Sequence, residues 1–293
     1  MIQRLSEHLS PDMIVVFLPA LVTALIVGLA CALVSVIAVL KRLAFAGQGI
    51  SHAAFGGIGI AYAIGFTGSA ASGGPWWPIV VVVLFCLAAA ALIARLSERA
   101  AAKADTAIGI VLVTTMASGF LLFRVAAARA TALGQPSPPA IEGVLFGSII
   151  MTDWGDAIIA GVVGVLLVAV LFIVRRPLLF WAFDEPVAAA LGVHVGRMNT
   201  LLMVVLAALI VVAMKFAGVV LASALLILPG AAALRLSDRM GMVMLIACII
   251  SLVGVLVGFI AALAADLEAG PAIVIVLAVE YFLAHLASKV RSG

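Results

Sequence analysis

Long apolar runs, separated by short segments that carry most of the polar and charged residues, occupy nearly the whole chain. Such runs are typical of α-helices that cross the hydrocarbon core of a bilayer. One run, 198–234, is too long for a single crossing, and Lys215 followed by Gly218 provides a turn within it. The pattern therefore predicts nine spans, at 13–40, 50–66, 79–96, 107–123, 157–174, two within 198–234, 242–265 and 272–286. Eight spans follow instead if the first helix or the stretch around Lys215 is re-entrant.

The predicted fold class is all-α, a polytopic helical membrane protein. A chain that is 67% hydrophobic and 10% charged is far more apolar than a soluble domain. A membrane-spanning backbone must form helices or a closed barrel, and unbroken runs exclude the alternating pattern of a barrel. The composition leaves no room for an added soluble domain. We therefore expect residues 1–293 to form a single transmembrane domain, with any ATP hydrolysis on another chain and no nucleic-acid partner.

The distribution of Lys and Arg predicts the orientation, because cytoplasmic loops accumulate these residues. With nine spans, the Lys and Arg residues at 41, 42, 95, 99, 103, 175, 176, 197, 235, 239, 289 and 291 fall on one side. Arg4, Arg124, Arg129 and Lys215 fall on the other. This places the N-terminus outside and the C-terminus in the cytoplasm. Cys31, Cys86 and Cys248 lie in apolar runs without CxxC spacing, which indicates buried thiols rather than a disulfide framework.

A polar cluster opens the second span. Gln48 and His52 are four residues apart, which on a helix places both side chains on one face, and Ser51 lies beside them. Gly56, Gly57 and Gly59 follow and permit close approach of another helix. Intramembrane polar residues are costly, so they are candidates for function. Glu280 and His285 in the last span form a second candidate set, although Glu280 is equally explained as a structural hydrogen-bonding or ion-pairing residue.

Two further segments carry local structural signals. Residues 184–192 read as a short surface helix, with Asp184 as its N-cap, Glu185 and Pro186 in its first turn and Gly192 near its end. Pro229 and Gly230 lie late in the seventh span, where the proline should kink or break the helix. The stretch 124–154 contains too many helix breakers to cross the membrane, so we expect an external or interfacial excursion.

The chain lacks the common enzyme signatures of a membrane hydrolase or a nucleotide-binding domain. It contains neither the HExxH zinc motif nor the phosphate-binding GxxxxGK[ST] loop. Ser51 and His52 are adjacent, and adjacent residues point to different helix faces, so they do not form a nucleophile and its base. The sequence therefore favours a transport function over an enzymatic one.

Five segments, in order, resemble landmarks of one family, the metal-ion permeases of ABC importers. GQGISHAAFGGIGIAY is similar to the family's GDxxSHAxxxGxxxAY stretch. The other four are ADTAIGIVLVTTMASGFLL, EGVLFGSII, FDEPVAAALGV and AGVVLASALLILPGAAALRLSDR. Together they cover most of the chain.

The resemblance implies a homodimer in the bacterial cytoplasmic membrane, with two cytoplasmic ATPase subunits and an external metal-binding protein. It also implies that the segment 184–193 is a coupling helix that docks on the ATPase, with Asp184, Glu185, Ala189 and Gly192 at the contact. The transported ion would be zinc, manganese or iron, with Gln48, Ser51, His52 and Glu280 on its pathway and no permanently bound cofactor.

One position departs from the family pattern, because Gln48 stands where the family usually has an aspartate. An amide oxygen can bind a cation, but it adds no negative charge, so we expect weaker binding of a divalent ion. Zinc tolerates imidazole with neutral partners better than manganese does, which favours zinc over manganese.

Three alternatives stay open at the level of sequence. The chain could be a permease for metal chelates such as siderophores, which need a wider route with fewer ligands. It could be a proton-coupled carrier or channel that uses Glu280 and His285 without an ATPase. It could also be a purely structural membrane subunit.

Overall fold

The computed structural model describes residues 11–65, 77–99, 104–134 and 152–292, and all regular secondary structure in these ranges is α-helical. The helices, numbered in chain order, are α1 Pro11–Leu40, α2 Ala44–Ile64, α3 Trp77–Arg99, α4 Ala104–Ala132, α5 Trp154–Ile173, α6 Arg175–Phe183, α7 Glu185–Ala190, α8 Val195–Leu225, α9 Leu228–Leu236, α10 Met240–Ala265 and α11 Ala269–Ser292. The predicted all-α class is confirmed.

Eight helical segments among the described residues are long and apolar enough to cross a membrane. Helix α2 is not one of them, because its glycines and polar residues dilute its hydropathy. It is nevertheless largely buried, packed against α3, α4 and α8. Surrounded in this way, α2 does not have to be strongly apolar itself, and with it the described residues contain nine helical segments long enough to cross a membrane.

The chain reverses direction near Gly218, inside α8. Helices α1 and α5 are parallel, since a Cβ at Gly161 would meet Ile26 and a Cβ at Gly164 would meet Ile26 and Ala30. Lys215 contacts Asp156 at the start of α5, so the first part of α8 runs antiparallel to both helices.

Beyond Gly218 the chain runs parallel to α1. Leu225 lies near Gly28 of α1, and Gly230 of α9 lies against Ser35 further along the same helix. Gly218 has φ 75° and ψ 169°, a conformation open almost only to glycine. The turn predicted between Lys215 and Gly218 is confirmed.

Helix α1 lies at the centre of the bundle, in contact with α5, α8, α9 and α10. Its small residues allow the close packing, and Gly230 approaches so near that a Cβ there would lie 2.6 Å from the carbonyl carbon of Ser35. The cysteines are free thiols, with Cys31 and Cys86 buried and Cys248 partly buried, as predicted.

Some predicted boundaries were wrong. The fourth span does not end near Arg124, because α4 continues through Arg129 to Ala132. The fifth span ends at Ile173, as predicted, but the sequence did not predict the separate helix α6, which begins at Arg175 and buries Leu178 and Trp181. Proline is tolerated in a first helical turn, so Pro177 does not prevent this helix. Residues 135–151 of the predicted excursion lie outside the described residues.

Candidate functional site

Helix α2 presents Gln48 and His52 one turn apart on a partly exposed face, where Phe45 is also exposed. The Nδ1 atom of His52 is buried and has no hydrogen-bond partner among the described residues. Ser51 is fully buried, and its hydroxyl donates to the Gly47 carbonyl oxygen at 2.8 Å. The two residues predicted to share a face therefore do so, while Ser51 points into the bundle.

The glycines of α2 hold this face in place by close contact with two neighbouring helices. A Cβ at Gly57 would lie 2.9 Å from the Cα of Val82 on α3, and a Cβ at Gly59 would lie 2.8 Å from the Gly119 carbonyl oxygen on α4. A Cβ at Gly56 would meet the ring of Phe85. The predicted close approach of another helix is confirmed on both sides, and it fixes the position of α2.

Glu280 and His285 lie in a separate part of the bundle. Glu280 packs on Gly254 of α10, and its Oε2 atom is buried without a hydrogen-bond partner among the described residues. His285 stacks on Tyr281, with ring centroids 6.5 Å apart. Helix α11 packs against α8, α9 and α10, whereas α2 packs against α3, α4 and α8. Helix α8 is therefore a common neighbour of the two helices that carry the candidate sets.

The described residues of one chain contain no cluster of three or more His, Cys, Asp or Glu side chains that could hold a metal ion. Gln48 and His52 together offer one amide oxygen and one imidazole nitrogen. That ligand set fits a weak and exchangeable contact with a passing ion better than a closed structural site.

The helix break predicted at Pro229 and Gly230 is confirmed. Helix α8 ends at Leu225, and α9 starts at Leu228 with Pro229 in its first turn. Both Pro229 and Gly230 are buried. The break lies against α1, because Gly230 is the residue that contacts Ser35.

The short helix α7 confirms the predicted start and stop signals. The Asp184 side chain accepts a hydrogen bond from the Val187 amide at 3.1 Å, and Gly192 after the helix has φ 85°. Ala188 is the buried residue of this helix, while Glu185 and Ala189 are exposed. The helix therefore sits on the surface at the end of the bundle where α1 ends.

Two ion pairs among the described residues join distant parts of the chain, and no local sequence pattern predicts either of them. Lys41 pairs with Glu185 at 2.6 Å, and Lys215 pairs with Asp156. The partners are 144 and 59 residues apart, so no helical spacing relates them. The Lys41 pair lies at the α7 end of the bundle and the Lys215 pair at the opposite end.

An all-helical bundle with eight strongly apolar segments of membrane-spanning length among the described residues has the architecture of a polytopic membrane protein. The chain matches the model of the ABC 3 transport family over residues 13–288, and it belongs to that family. The resemblance to the metal-ion permeases of ABC importers is thereby confirmed.

Curated relatives cover most of the chain. The "Manganese transport system membrane protein MntC" of Halalkalibacterium halodurans is 29% identical over 272 residues, which are 92% of this chain and 86% of the relative. A "Probable metal transport system membrane protein" of Thermotoga maritima is 30% identical over 262 residues, covering 89% and 86%. A "Probable iron transport system membrane protein" of Haemophilus influenzae is 29% identical over 280 residues, covering 93% of each.

A solved structure supports the same assignment. The chain superimposes with a TM-score of 0.77 and 26% identity on a chain of the structure titled "PsaBC from Streptococcus pneumoniae in complex with Fab". The match covers 97% of this chain and 95% of that one.

Proposed function

We propose that this chain is the permease subunit of an ATP-driven importer that moves a divalent metal ion across the bacterial cytoplasmic membrane. The observation that carries the proposal is the partly exposed Gln48–His52 face of α2, where a buried imidazole nitrogen has no hydrogen-bond partner within the part of the chain that the structure describes. An unpaired polar group in a membrane-spanning segment costs free energy. Such a group is therefore expected mainly where it contacts a transported substrate.

Two copies of the chain provide a more complete path than one. Each copy offers Gln48 and His52, so a homodimer with these faces opposed would surround an ion with two imidazoles and two amide oxygens. Glu280, behind α8, would supply a carboxylate further along the path. In this arrangement Ser51 supports α2 through its bond to Gly47 rather than by binding the ion.

The relatives and the site residues support different ions. The named relatives transport manganese, iron or an unspecified metal. Gln48 lacks the negative charge of the aspartate usual in the family, and hard cations such as Mn²⁺ favour such a charge. Zn²⁺ accepts imidazole with neutral ligands. We propose zinc or manganese as the substrate, and the charge at position 48 as the property that selects between them.

Helix α7 is the proposed docking surface for a cytoplasmic ATPase. Its neighbourhood exposes apolar side chains, with Phe183 at 63%, Val187 at 44% and Leu191 at 68%. Such a patch beside the exposed Asp184, Glu185, Ala189 and Gly192 suits a protein partner. Binding of ATP to the docked ATPase would favour one state of the permease dimer, and delivery of metal by an external binding protein would favour the other. Switching between the two states would give alternating access.

The orientation follows the distribution of positive charge. Lys41, Arg42, Arg175, Arg176 and Arg197 lie at the α7 end of the bundle, which we assign to the cytoplasm. The Pro11 end of α1 is then external and the Ser292 end of α11 is cytoplasmic.

Replacement of His52 tests the pathway. We expect His52→Ala to reduce metal uptake at least about tenfold in cells that lack other importers, because it removes the only imidazole of the α2 face. The control is His285→Ala on α11, which should transport normally. Normal uptake by His52→Ala at equal expression would contradict the proposed pathway. If His285→Ala alone abolished uptake, the proton-coupled alternative would be favoured.

Competition separates free ions from chelates. If the substrate is a free ion, excess zinc or manganese should suppress uptake of the labelled metal, and chelated iron should not. Suppression by chelated iron alone would favour a permease for metal chelates instead.

A further inference from the structure

Lys41 occupies the tight turn between α1 and α2. The turn is closed by backbone hydrogen bonds from Lys41 to Ile37 and from Leu43 to Ala38, at 3.0 and 2.8 Å. Arg42 adopts a left-handed conformation with φ 58°, which completes the turn. Gln48 therefore follows only seven residues after Lys41, in the second turn of α2.

The Lys41 side chain is held at several points by α6 and α7. Its ammonium group donates to Glu185 Oε2 at 2.6 Å and lies 3.4 Å from the Trp181 carbonyl oxygen. It also lies 4.1 Å from the centroid of the Trp181 ring, within cation–π distance. Trp181 is itself almost fully buried. The ammonium is thus fixed against a rigid surface rather than paired loosely in solvent.

These contacts connect the proposed docking helix to the helix that carries the proposed pathway. Helix α7 packs against α6 and α8, and Glu185 lies in its first turn. On the other side of the contact, Lys41 continues through a short turn into α2. One side chain therefore contacts both Glu185 and Trp181 and belongs to the turn that leads into α2.

We propose that Lys41 is a positioning residue that transmits the movement of α7 to the Gln48–His52 face of α2. This inference rests on the proposed function, and it goes beyond it by naming the mechanical link between ATPase docking and the ion pathway. The Lys41 side chain is only 14% exposed, whereas that of Glu185 is 50% exposed. The ammonium also lies on the ring of the buried Trp181, so the link between the helices does not depend on the half-exposed Glu185 carboxylate alone.

The experiment compares transport with ATP hydrolysis in the same preparation. The permease is reconstituted in proteoliposomes with its ATPase subunit and its external metal-binding protein, and uptake of radioactive manganese or zinc is measured per ATP hydrolysed. Lys41→Met keeps the aliphatic stem and removes the charge, and Lys41→Arg keeps the charge. The matched control is Arg42→Met, which removes an exposed charge from the same turn.

We expect Lys41→Met to lower the number of ions moved per ATP about tenfold, a typical size for coupling between two sites. The ATPase should still copurify and still hydrolyse ATP. Lys41→Arg should restore most of the ratio, and Arg42→Met should leave it unchanged. An unchanged ratio in Lys41→Met would overturn the assignment, as would a parallel fall in uptake and hydrolysis. If the unmodified complex takes up no metal, the proposed function itself fails, which is a separate result.

Discussion

The amide of Gln48 and the imidazole of His52 lie one helical turn apart on a partly exposed face of α2, and neither carries a negative charge at neutral pH. The affinity of such a face for a cation depends strongly on one position. A carboxylate at residue 48 would add a full charge beside the imidazole. Metal preference is therefore a property that a single substitution can change.

Gln48→Asp should shift transport towards manganese. A carboxylate about 4 Å from a divalent ion contributes roughly 2–8 kcal/mol between bulk water and a protein surface, so affinity for Mn²⁺ should rise at least about tenfold. The measurement is the concentration of manganese that half-saturates uptake, with zinc as competitor. Gln48→Asn is the matched control, because it has the length of Asp and no charge. Equal effects of both variants would show that length, rather than charge, sets the preference.

At the residue scale, the sequence could predict contacts within one helix and not those across the fold. The shared face of Gln48 and His52 follows from their spacing, and the N-cap role of Asp184 follows from its place before Glu185 and Pro186. The pairing of Lys41 with Glu185 depends on where α1 ends relative to α7. That relative position depends on tertiary packing, which the hydrophobic periodicity of the sequence does not predict.

At the scale of the elements, the close contact between α2 and α4 depends on glycines, which have no side chain. A Cβ at Gly119 would lie 2.9 Å from the backbone nitrogen of Gly56 and from the carbonyl of Phe55. Backbone atoms cannot move aside as flexible side chains can, so this contact has no space for a methyl group. The glycines of α2 predicted close approach, although the sequence could not identify Gly119 as the partner.

Gly119→Ala and Gly109→Ala test this contact within a single helix. Gly119→Ala should destabilise the protein by about 1–3 kcal/mol through overpacking. A Cβ at Gly109 would meet nothing within 4 Å, so Gly109→Ala should be neutral or stabilise α4 by up to about 1 kcal/mol. Thermal unfolding in detergent should then give a lower midpoint for Gly119→Ala alone. Equal midpoints would mean that α2 and α4 are not tightly packed at this point.

The elements that the sequence missed are those decided by tertiary burial. Helix α6 begins with two arginines and a proline, a pattern typical of a stop, yet Leu178 and Trp181 are buried and stabilise it. Helix α4 continues past the exposed Arg124 and Arg129 because Ala126 and Ala130 on its other face are buried. Local propensity is a weak guide at such ends, because packing can override it.

Across the whole molecule, the reversal at Gly218 decides the topology. The two ion pairs mark opposite ends of the bundle, Lys41–Glu185 at the end of α1 and Lys215–Asp156 at the start of α5. The chain passes from the first end to the second along α8 and returns through α9. If residues 195–236 made one crossing instead of two, every loop after them would change sides.

Cysteine labelling can therefore determine the number of spans and their orientation. In a background with Cys31, Cys86 and Cys248 replaced by alanine, Glu268→Cys marks the exposed α10–α11 turn and Asp238→Cys the exposed α9–α10 turn. With nine crossings and a cytoplasmic α7, a membrane-impermeant maleimide should label Glu268→Cys in intact cells. Asp238→Cys should react only after permeabilisation. The reverse pattern would contradict either the reversal at Gly218 or the assigned orientation. Leu191→Cys, beside α7, precedes the reversal and separates these two explanations. If it reacts only after permeabilisation, the orientation holds and the reversal is wrong.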